Sequence, residues 1–260
     1  MTAWSQTAAN KLSRLPFRLT ASPPASEVAL CGHWQNFPFS RLLILLLVAG
    51  ISPNPGPRPP HPTSPPISRI LQFNTNGLNT SRNELSSYLR GNNIKVACLQ
   101  ETKLRSNNPD PSFPGYALLR RDRPEGGGGG VAILVSHDVE FTLVYVDYLA
   151  DPHLEVLAVK IHLRHFSLNI YNVYIPPVSS CDPNYAPNLA ALFDHADGDA
   201  VIVGDFNAHS DIWFSASNDA RRELLVDAVE GSDFSLLNLD FPTRIPSSSS
   251  PFLERPLRNI

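Results

Sequence analysis

The sequence predicts a layered α/β sandwich, and two features of the chain lead to this prediction. From Ile67 onward, short apolar runs separated by turn residues mix strand patterns with helical patterns. Several of the strand patterns follow one another with no helix between them, which favours antiparallel pairing. A chain of 260 residues with 42% hydrophobic content has enough apolar side chains to bury a core.

Each element follows from its local pattern. The predicted strands are Ile67–Phe73, Lys95–Leu99, Val131–Val135, Val139–Val146, Leu154–His162, Phe166–Tyr174 and Ala200–Gly204. Ser81 and Glu84 have the spacing of a capping box, which predicts a helix that starts there and ends at Gly91. Two further helices are predicted over Asn188–Ala196 and Asp219–Glu230, the last with an apolar face of Leu224, Leu225, Ala228 and Val229.

Residues 1–66 have a different composition and are predicted to be a mostly disordered leader. Twelve of the chain's 25 prolines lie there, and the segment has no sustained periodicity. Its one apolar run, Leu42–Ile51, has ten residues, well short of the roughly 20 needed to span a bilayer. We therefore expect no stable membrane insertion. The rest of the chain, residues 67–260, is predicted to form a single folded domain.

Charge and cysteine content narrow the possible functions. The leader has five Lys/Arg and one acid, which leaves 16 basic and 23 acidic residues in the remaining chain. A domain with this acidic balance can bind nucleic acid only through a local groove or through bound metal ions.

Three widely spaced cysteines without a C-x-x-C pair argue against a disulfide framework and a zinc site, and favour a reducing compartment.

Four groups of polar residues stand where predicted strands end. They are Asn74-Thr-Asn76-Gly77, Gln100-Glu101-Thr102, Tyr174 followed by two prolines, and Gly204-Asp205-Phe206-Asn207. Taken singly, each has an ordinary structural explanation as a turn, a solvent-facing carboxylate or a packed aromatic ring. Side chains at strand ends can also converge on one rim of a sheet pair. Carboxylates and amides that converge are the ligands a hard cation such as Mg²⁺ requires.

Taken in order, QFNTNGL, LQET, NVYIPP and VIVGDFNAHS resemble the successive motifs of the endonuclease/exonuclease/phosphatase superfamily, which includes apurinic/apyrimidinic endonucleases. The resemblance covers about residues 67–250. It implies a DNase I-like fold, a four-layer α/β/β/α sandwich, and a Mg²⁺- or Mn²⁺-dependent phosphodiester hydrolase. By this resemblance Glu101 is the principal metal ligand and Asn76 lies beside the metal.

The same resemblance assigns the remaining catalytic residues. Asn74 helps to hold the scissile phosphate, and Tyr174 contacts it. Asp205 activates the attacking water or assists the leaving group, while Asn207 positions the phosphate. Such a set of groups suits the reaction, because phosphodiester hydrolysis requires charge stabilisation, an oriented water and a proton for the leaving alkoxide.

Three segments resemble one branch of the superfamily, the endonuclease domains of LINE-like non-LTR retrotransposons. They are GDFNAHSDIW, the glycine-rich GGGGGVAILVS and FPTRIPSSSSP. This resemblance implies that the partner is DNA, which the domain nicks at a target site, with the element's reverse transcriptase as a second partner in a full-length protein. It also implies a nuclear location. The glycine run itself predicts a flexible loop, since no G-K-[ST] follows it.

Within the leader, Asn54-Pro-Gly56-Pro57 resembles a ribosome-skipping peptide, whose break falls between the last Gly and Pro. That peptide family has acidic residues upstream, where this chain has Gly50 and Ser52, so inefficient skipping is expected. The alternative is a proline-rich linker, because N-P and P-G pairs commonly form turns.

The superfamily's late Asp and closing Ser-Asp-His motif are not found after Asn207. We therefore expect a domain truncated at its C-terminus, with weak or absent nicking activity. His209 follows Asn207 too closely to replace the missing imidazole and is expected at the surface. Two alternatives are a non-catalytic retroelement remnant whose leader acts as a translational or targeting element, and a phosphodiesterase acting on inositol phosphates or lipids.

Overall fold

The fold is taken from a computed structural model, which describes residues 69–124, 128–149, 151–164, 166–196, 198–213, 215 and 217–238, and the backbone of 45–49. The strands are β1 Leu45–Ala49, β2 Ile70–Asn74, β3 Val96–Gln100, β4 Tyr116–Arg121, β5 Val131–Ser136, β6 Phe141–Val144, β7 Glu155–His162, β8 Ser167–Tyr174, β9 Ala200–Asp205 and β10 Ser235–Leu236. The helices are α1 Leu78–Gly91, α2 Leu189–His195 and α3 Ala220–Glu230, with short 3₁₀ turns at Asp147–Leu149, Val178–Ser180 and Asp211–Trp213.

The strands form two sheets. One has four strands in the order β2-β3-β5-β4, and the other has six in the order β10-β1-β9-β8-β7-β6. Most neighbours are antiparallel, as the run of strands predicts, but β2 and β3 are parallel and so are β8 and β9. In each parallel pair the two strands therefore end at the same edge of the sheet.

Apolar side chains fill three layers between these elements. One cluster lies between the sheets and contains Ile70, Cys98 and Ile133 from one sheet and Val159, Ile170 and Val201 from the other. A second cluster joins α1 to the outer face of the four-stranded sheet, and a third joins α2 and α3 to the six-stranded sheet. The predicted four-layer α/β/β/α sandwich is thus confirmed.

The strand β1 differs from the predicted disordered leader. Its five residues come from the apolar run and pair antiparallel with β9, from Leu45 opposite Gly204 to Ala49 opposite Ala200. On its other side β1 pairs with β10. Buried backbone groups need hydrogen-bond partners, so an apolar strand that satisfies the edge of β9 is favourable even in a proline-rich segment. The other leader residues, including the skipping-like Gly56 and Pro57, lie outside the described residues.

Two further predictions from local sequence patterns were wrong, the start of α1 and the apolar face of α3. Helix α1 starts at Leu78, with Gly77 as its N-cap, so Ser81 lies inside the helix and is buried. The capping box is not needed, because the amides of Gly77 and Leu78 donate to the carbonyl oxygens of Glu101 and Thr102. In α3 the predicted apolar residue Leu224 is 39% exposed. Sequence patterns also missed β4, which covers an edge of the four-stranded sheet.

Among the described residues, no helix is long and apolar enough to cross a membrane.

We predict that Leu47→Pro lowers the thermal unfolding midpoint, because proline removes a backbone N–H from a strand that is paired on both sides. Each lost buried hydrogen bond costs about 1 kcal/mol. Leu47→Val keeps the N–H and is the control. An unchanged midpoint in Leu47→Pro, measured by circular dichroism, would show that β1 does not support the sheet.

Candidate active site

The four polar motifs meet at one edge of the sandwich. The strand β2 ends at Asn74 beside Gln100 of β3, and β8 ends at Tyr174 beside Asp205 of β9. Side chains alternate between the two faces of a strand. In β9, Val201 and Val203 point into the layer between the sheets, and Asp205 is next in that series. The site therefore forms where the inter-sheet core opens at the strand ends.

Asn74 joins acidic groups from both sheets. Its Nδ2 donates to Glu101 Oε1 at 2.9 Å and to Asp205 Oδ2 at 2.8 Å. Its own Oδ1 accepts from the backbone N–H of Asn76 at 3.1 Å, which orients the amide. One side chain thus sets the relative position of two carboxylates whose sequence positions are more than one hundred residues apart.

Glu101 is held in a tight turn. Its φ is +48°, in the left-handed region, and its carbonyl oxygen accepts from Thr75 Oγ1 at 2.9 Å and from the amide of Gly77 at 2.8 Å. This conformation is uncommon for a residue with a side chain, and it persists where surrounding contacts over-determine it. The turn directs the carboxylate towards Asn74 and towards Tyr174, whose hydroxyl donates to Oε1 at 3.2 Å.

The environment keeps Tyr174 protonated and raises the pKa of Asp205. Burial is the main cause of the raised pKa of the Tyr174 phenol, and the charge of Glu101 adds to it. For Asp205, burial raises the pKa to about 6, although hydrogen bonds from Asn74 and Asn207 oppose the shift. Tyr174 is therefore a neutral donor, and Asp205 can exchange a proton near neutral pH.

A cation already lies between the two residues expected to hold a metal. The ammonium of Lys103 donates to Asn76 Oδ1 at 2.5 Å and lies 3.6 Å from Glu101 Oε2. The described residues contain no cluster of three His, Cys, Asp or Glu side chains that could hold a metal. One carboxylate and one amide oxygen suit Mg²⁺, which commonly keeps several waters and binds substrate phosphates. The residues present thus fit a magnesium ion better than a metal held by protein ligands alone.

Asn207 ties the ends of β8 and β9 together. It has a φ of +46°, and its backbone N–H donates to Asp205 Oδ1 at 3.1 Å. Its Nδ2 donates to the carbonyl oxygen of Ile175 at 2.9 Å, which leaves one amide hydrogen for a ligand. His209, two residues further on, is half-buried rather than at the surface as expected, and its Nδ1 lies 3.2 Å from Ser215 Oγ.

A chain of buried amides lies directly beneath the site. Gln72 Nε2 donates to Gln100 Oε1, and Gln100 Nε2 donates to Asn172 Oδ1, both at 2.5 Å. Asn172 Nδ2 then donates to the carbonyl oxygens of Leu99 and Ala132 at 3.0 and 2.8 Å. The chain links the two sheets across their apolar core. No motif in the sequence marks this chain of amides. The one signal for it is the alternation of side chains within Ile70–Asn74 and Ser167–Tyr174, which places Gln72 and Asn172 on the inner faces of their strands.

Part of the predicted flexible glycine loop is held against the site. Residues 125–127 are outside the described residues, but the carbonyl oxygens of Gly129 and Gly130 accept from Lys103 and Thr102, at 2.9 and 3.1 Å. Gly130 has a φ of +84°, and a Cβ there would lie 2.5 Å from Thr102 Oγ1. Glycine is required here because the loop passes so close to the residues after Glu101.

A second ion pair borders the site. Glu155 Oε1 accepts from Arg123 Nε and its Oε2 accepts from the Gly130 amide, both at 2.6 Å. The Arg123 guanidinium lies 5.9 Å from the centre of the Tyr174 ring. Neither Arg123 nor Glu155 was singled out in the sequence. Lys103 and Arg123 place positive charge next to the acidic groups within a domain that is acidic as a whole.

The structure thus brings together the six predicted site residues, Asn74, Asn76, Glu101, Tyr174, Asp205 and Asn207, in a candidate hydrolase site. The chain belongs to the endonuclease/exonuclease/phosphatase family, whose sequence profile matches residues 71–257. The family predicted from the four motifs is therefore confirmed. The match extends a few residues past Pro251, where the resemblance recognised in the sequence ended.

Two fruit-fly proteins are similar to this chain. It is 25% identical over 181 residues to a probable RNA-directed DNA polymerase from transposon X-element of Drosophila melanogaster, and 22% identical over 180 residues to that of the mobile element jockey. Each match covers 68% of this chain and 19% of the relative, so the chain spans about a fifth of their length. The predicted resemblance to non-LTR elements agrees with these matches.

Part of this chain matches the solved structures of two endonucleases. The endonuclease domain of TRAS1, a telomere-specific non-LTR retrotransposon, has a TM-score of 0.49 and 20% identity, with 62% of this chain and 70% of that chain covered. The AP endonuclease LMAP from Leishmania major has a TM-score of 0.48 and 14% identity, with 62% and 65% covered.

We predict that the Asp205 carboxyl titrates near pH 6 in metal-free protein, well above its ordinary value of 3.8. A raised pKa means that the folded state binds the proton more tightly, so the stability contributed by Asp205 decreases as pH rises from about 4 to about 6. Carbon NMR of the carboxyl group measures the midpoint directly. Glu101→Gln should lower it and Asn74→Ala should raise it, because each variant removes one of the opposing effects. Equal midpoints in the three proteins would disprove the proposed coupling.

Proposed function

We propose that this chain is a metal-dependent DNA endonuclease domain of a non-LTR retrotransposon. The observation that carries the proposal is the hydrogen bonding of Asn74 to both Glu101 and Asp205, which places a metal-binding carboxylate beside a carboxyl group with a pKa of about 6. Family membership supports phosphodiester chemistry, and the similarity to two mobile-element polymerases supports a retroelement as the source.

Glu101 and Asn76 are the residues proposed to hold Mg²⁺ or Mn²⁺. Lys103 now forms contacts with both, so the two side chains already accommodate a positive charge. When bound, the metal supplies a Lewis acid that stabilises the negative charge developing on a phosphate oxygen.

The other side chains act on the phosphate and on protons. The free amide hydrogen of Asn207 is available to a phosphate oxygen. Asn74 and Tyr174 can donate to the phosphate only by giving up their hydrogen bonds to Glu101. Asp205 is the proposed acid–base group, which orients or deprotonates the attacking water and passes a proton to the leaving oxygen. Its pKa of about 6 keeps both protonation states accessible near neutral pH.

Lys103 and Arg123 favour a polyanionic substrate. Lys103 has 39% of its side chain exposed at the site, and Arg123 lies beside Tyr174. Net acidic charge elsewhere makes binding by a large basic surface unsuitable, so these local cations and the metal are the expected phosphate contacts. DNA is the substrate we propose, and the mobile-element reverse transcriptase is a partner in a longer protein.

Nicking is expected to be slow. In the described part of the chain no imidazole hydrogen-bonds to Glu101 or Asp205, so among the described side chains Asp205 is the one acid–base group we propose. A positioned acid–base group typically contributes about 10² to 10⁴ in rate, and one such group gives only part of the acceleration of an enzyme with two.

We predict Mg²⁺-dependent conversion of supercoiled plasmid to nicked circles, lost in EDTA. Glu101→Gln and Asp205→Asn should each lower the rate by about 10²-fold or more, because one removes the metal ligand and the other the acid–base group. Glu84→Gln and Asp233→Asn are matched controls at exposed positions and should nick like the wild type.

Two outcomes would contradict the proposal. Nicking that persists undiminished in Glu101→Gln would come from another site or from a contaminant. Glu101-dependent hydrolysis of an inositol phosphate, with DNA untouched, would preserve the chemistry but show that the substrate is wrong.

A further inference from the structure

Arg221 is a buried cation that none of the proposed catalytic steps uses. It is the second residue of α3 and is only 4% exposed. Its Nη1 lies within hydrogen-bonding distance of three carbonyl oxygens, those of Pro176 at 2.8 Å, Phe206 at 3.0 Å and Asn207 at 3.3 Å. Its Nη2 lies 3.6 Å from Cys181 Sγ.

Helix stability does not explain this residue. A cation in the first turn of a helix is opposed by the positive end of the helix dipole. A buried charge is also unfavourable unless it is paired or hydrogen-bonded, and no ion pair to a carboxylate is found for Arg221 among the described residues. The hydrogen bonds to the carbonyl oxygens must therefore compensate for the cost of burying the Arg221 charge.

Those carbonyl oxygens belong to the two segments that carry the reacting groups. Pro176 follows β8 and Tyr174, while Phe206 and Asn207 follow β9 and Asp205. The backbone ladder between the segments ends where the Ile175 amide donates to the Asp205 carbonyl oxygen at 2.9 Å. Beyond that point, Arg221 and the Asn207 side chain hold the segments together.

A short series of bonds connects Arg221 to the Asp205 carboxylate. Arg221 contacts the Asn207 carbonyl oxygen, and Asn207 has the left-handed φ of +46°. The N–H of Asn207 donates to Asp205 Oδ1, while Oδ2 accepts from Asn74. Displacing the Asn207 backbone would therefore rotate the carboxylate away from the orientation that Asn74 fixes.

We propose that Arg221 is a positioning residue, which holds the segment after β9 so that Asp205 is oriented for turnover. This inference rests on the proposed endonuclease function. The described hydrogen bonds of Arg221 go to Pro176, Phe206, Asn207 and Cys181 and not to Glu101 or Asn76, so its removal should leave metal affinity unchanged. The planar guanidinium can reach several carbonyl oxygens at once, whereas a lysine ammonium reaches fewer of them.

The test compares Arg221→Met, Arg221→Lys and the matched control Arg222→Met, which removes the same charge from the next position of α3. We expect kcat for plasmid nicking to fall about 10²-fold in Arg221→Met with KM within about threefold of wild type, since small misplacements of reacting groups have effects of that size. Arg221→Lys should recover part of kcat, and Arg222→Met should keep it. A rise in KM with kcat unchanged in Arg221→Met would overturn the proposal, and so would an equal fall in kcat in Arg222→Met.

A second readout does not depend on nicking. Amide hydrogen exchange at Ile175 and Asn207 should accelerate in Arg221→Met but not in Arg222→Met, because those two amides donate to Asp205. If the wild type does not nick DNA, the endonuclease proposal fails while the exchange data still decide the role of Arg221. If Arg221→Met does not fold, Arg221→Lys carries both tests: wild-type exchange and wild-type kcat in that variant would overturn the need for a guanidinium.

Discussion

The amide of Asn74, shared between the carboxylates of Glu101 and Asp205, is the interaction on which the site depends. Two carboxylates brought this close in a partly buried site repel each other, and both lose hydration. A donor between them reduces the repulsion, and the raised pKa of Asp205 reduces it further because the carboxyl is then partly protonated near pH 6. A bound cation at Glu101 would complete the charge balance, which is why the same geometry favours metal binding.

The regular alternation of side chains along the strands is enough to bring these groups together. Along β2 the inward positions are Ile70, Gln72 and Asn74, so the inner face changes from apolar to amide to reacting group as the strand reaches its end. The strand β8 repeats this order with Ile170, Asn172 and Tyr174. Gln72 and Asn172, which belong to the buried amide chain, occupy the middle position on these two inner faces. Because each member of the amide chain needs a partner from another strand, the amide chain favours one alignment of the two sheets and therefore one geometry of the site.

Sequence could predict the features that depend on neighbouring residues. Strand-end motifs such as Gly204-Asp205-Phe206-Asn207 are local, and alternation and turn residues locate them. The pairing of Leu45–Ala49 with β9 is set by contacts across most of the chain, and no local pattern indicates it. The start of α1 was missed for a similar reason, since carbonyl oxygens of the segment after β3 satisfy its first amides. Arg221 is inconspicuous in a helical pattern, because its role appears only when two distant loops are packed beside it.

The proposed function depends on one divalent cation held by Glu101 and Asn76 at the strand ends. Crystals soaked in Mn²⁺ and measured at the manganese absorption edge test this assignment, because the anomalous signal distinguishes manganese from water and from lighter ions. We expect one strong peak at about 2.0–2.4 Å from a Glu101 carboxylate oxygen, with the Lys103 ammonium moved away from Asn76 and Asn74 still bonded to Asp205. A manganese ion bound elsewhere in the domain, with none near Glu101 at saturating concentration, would contradict it.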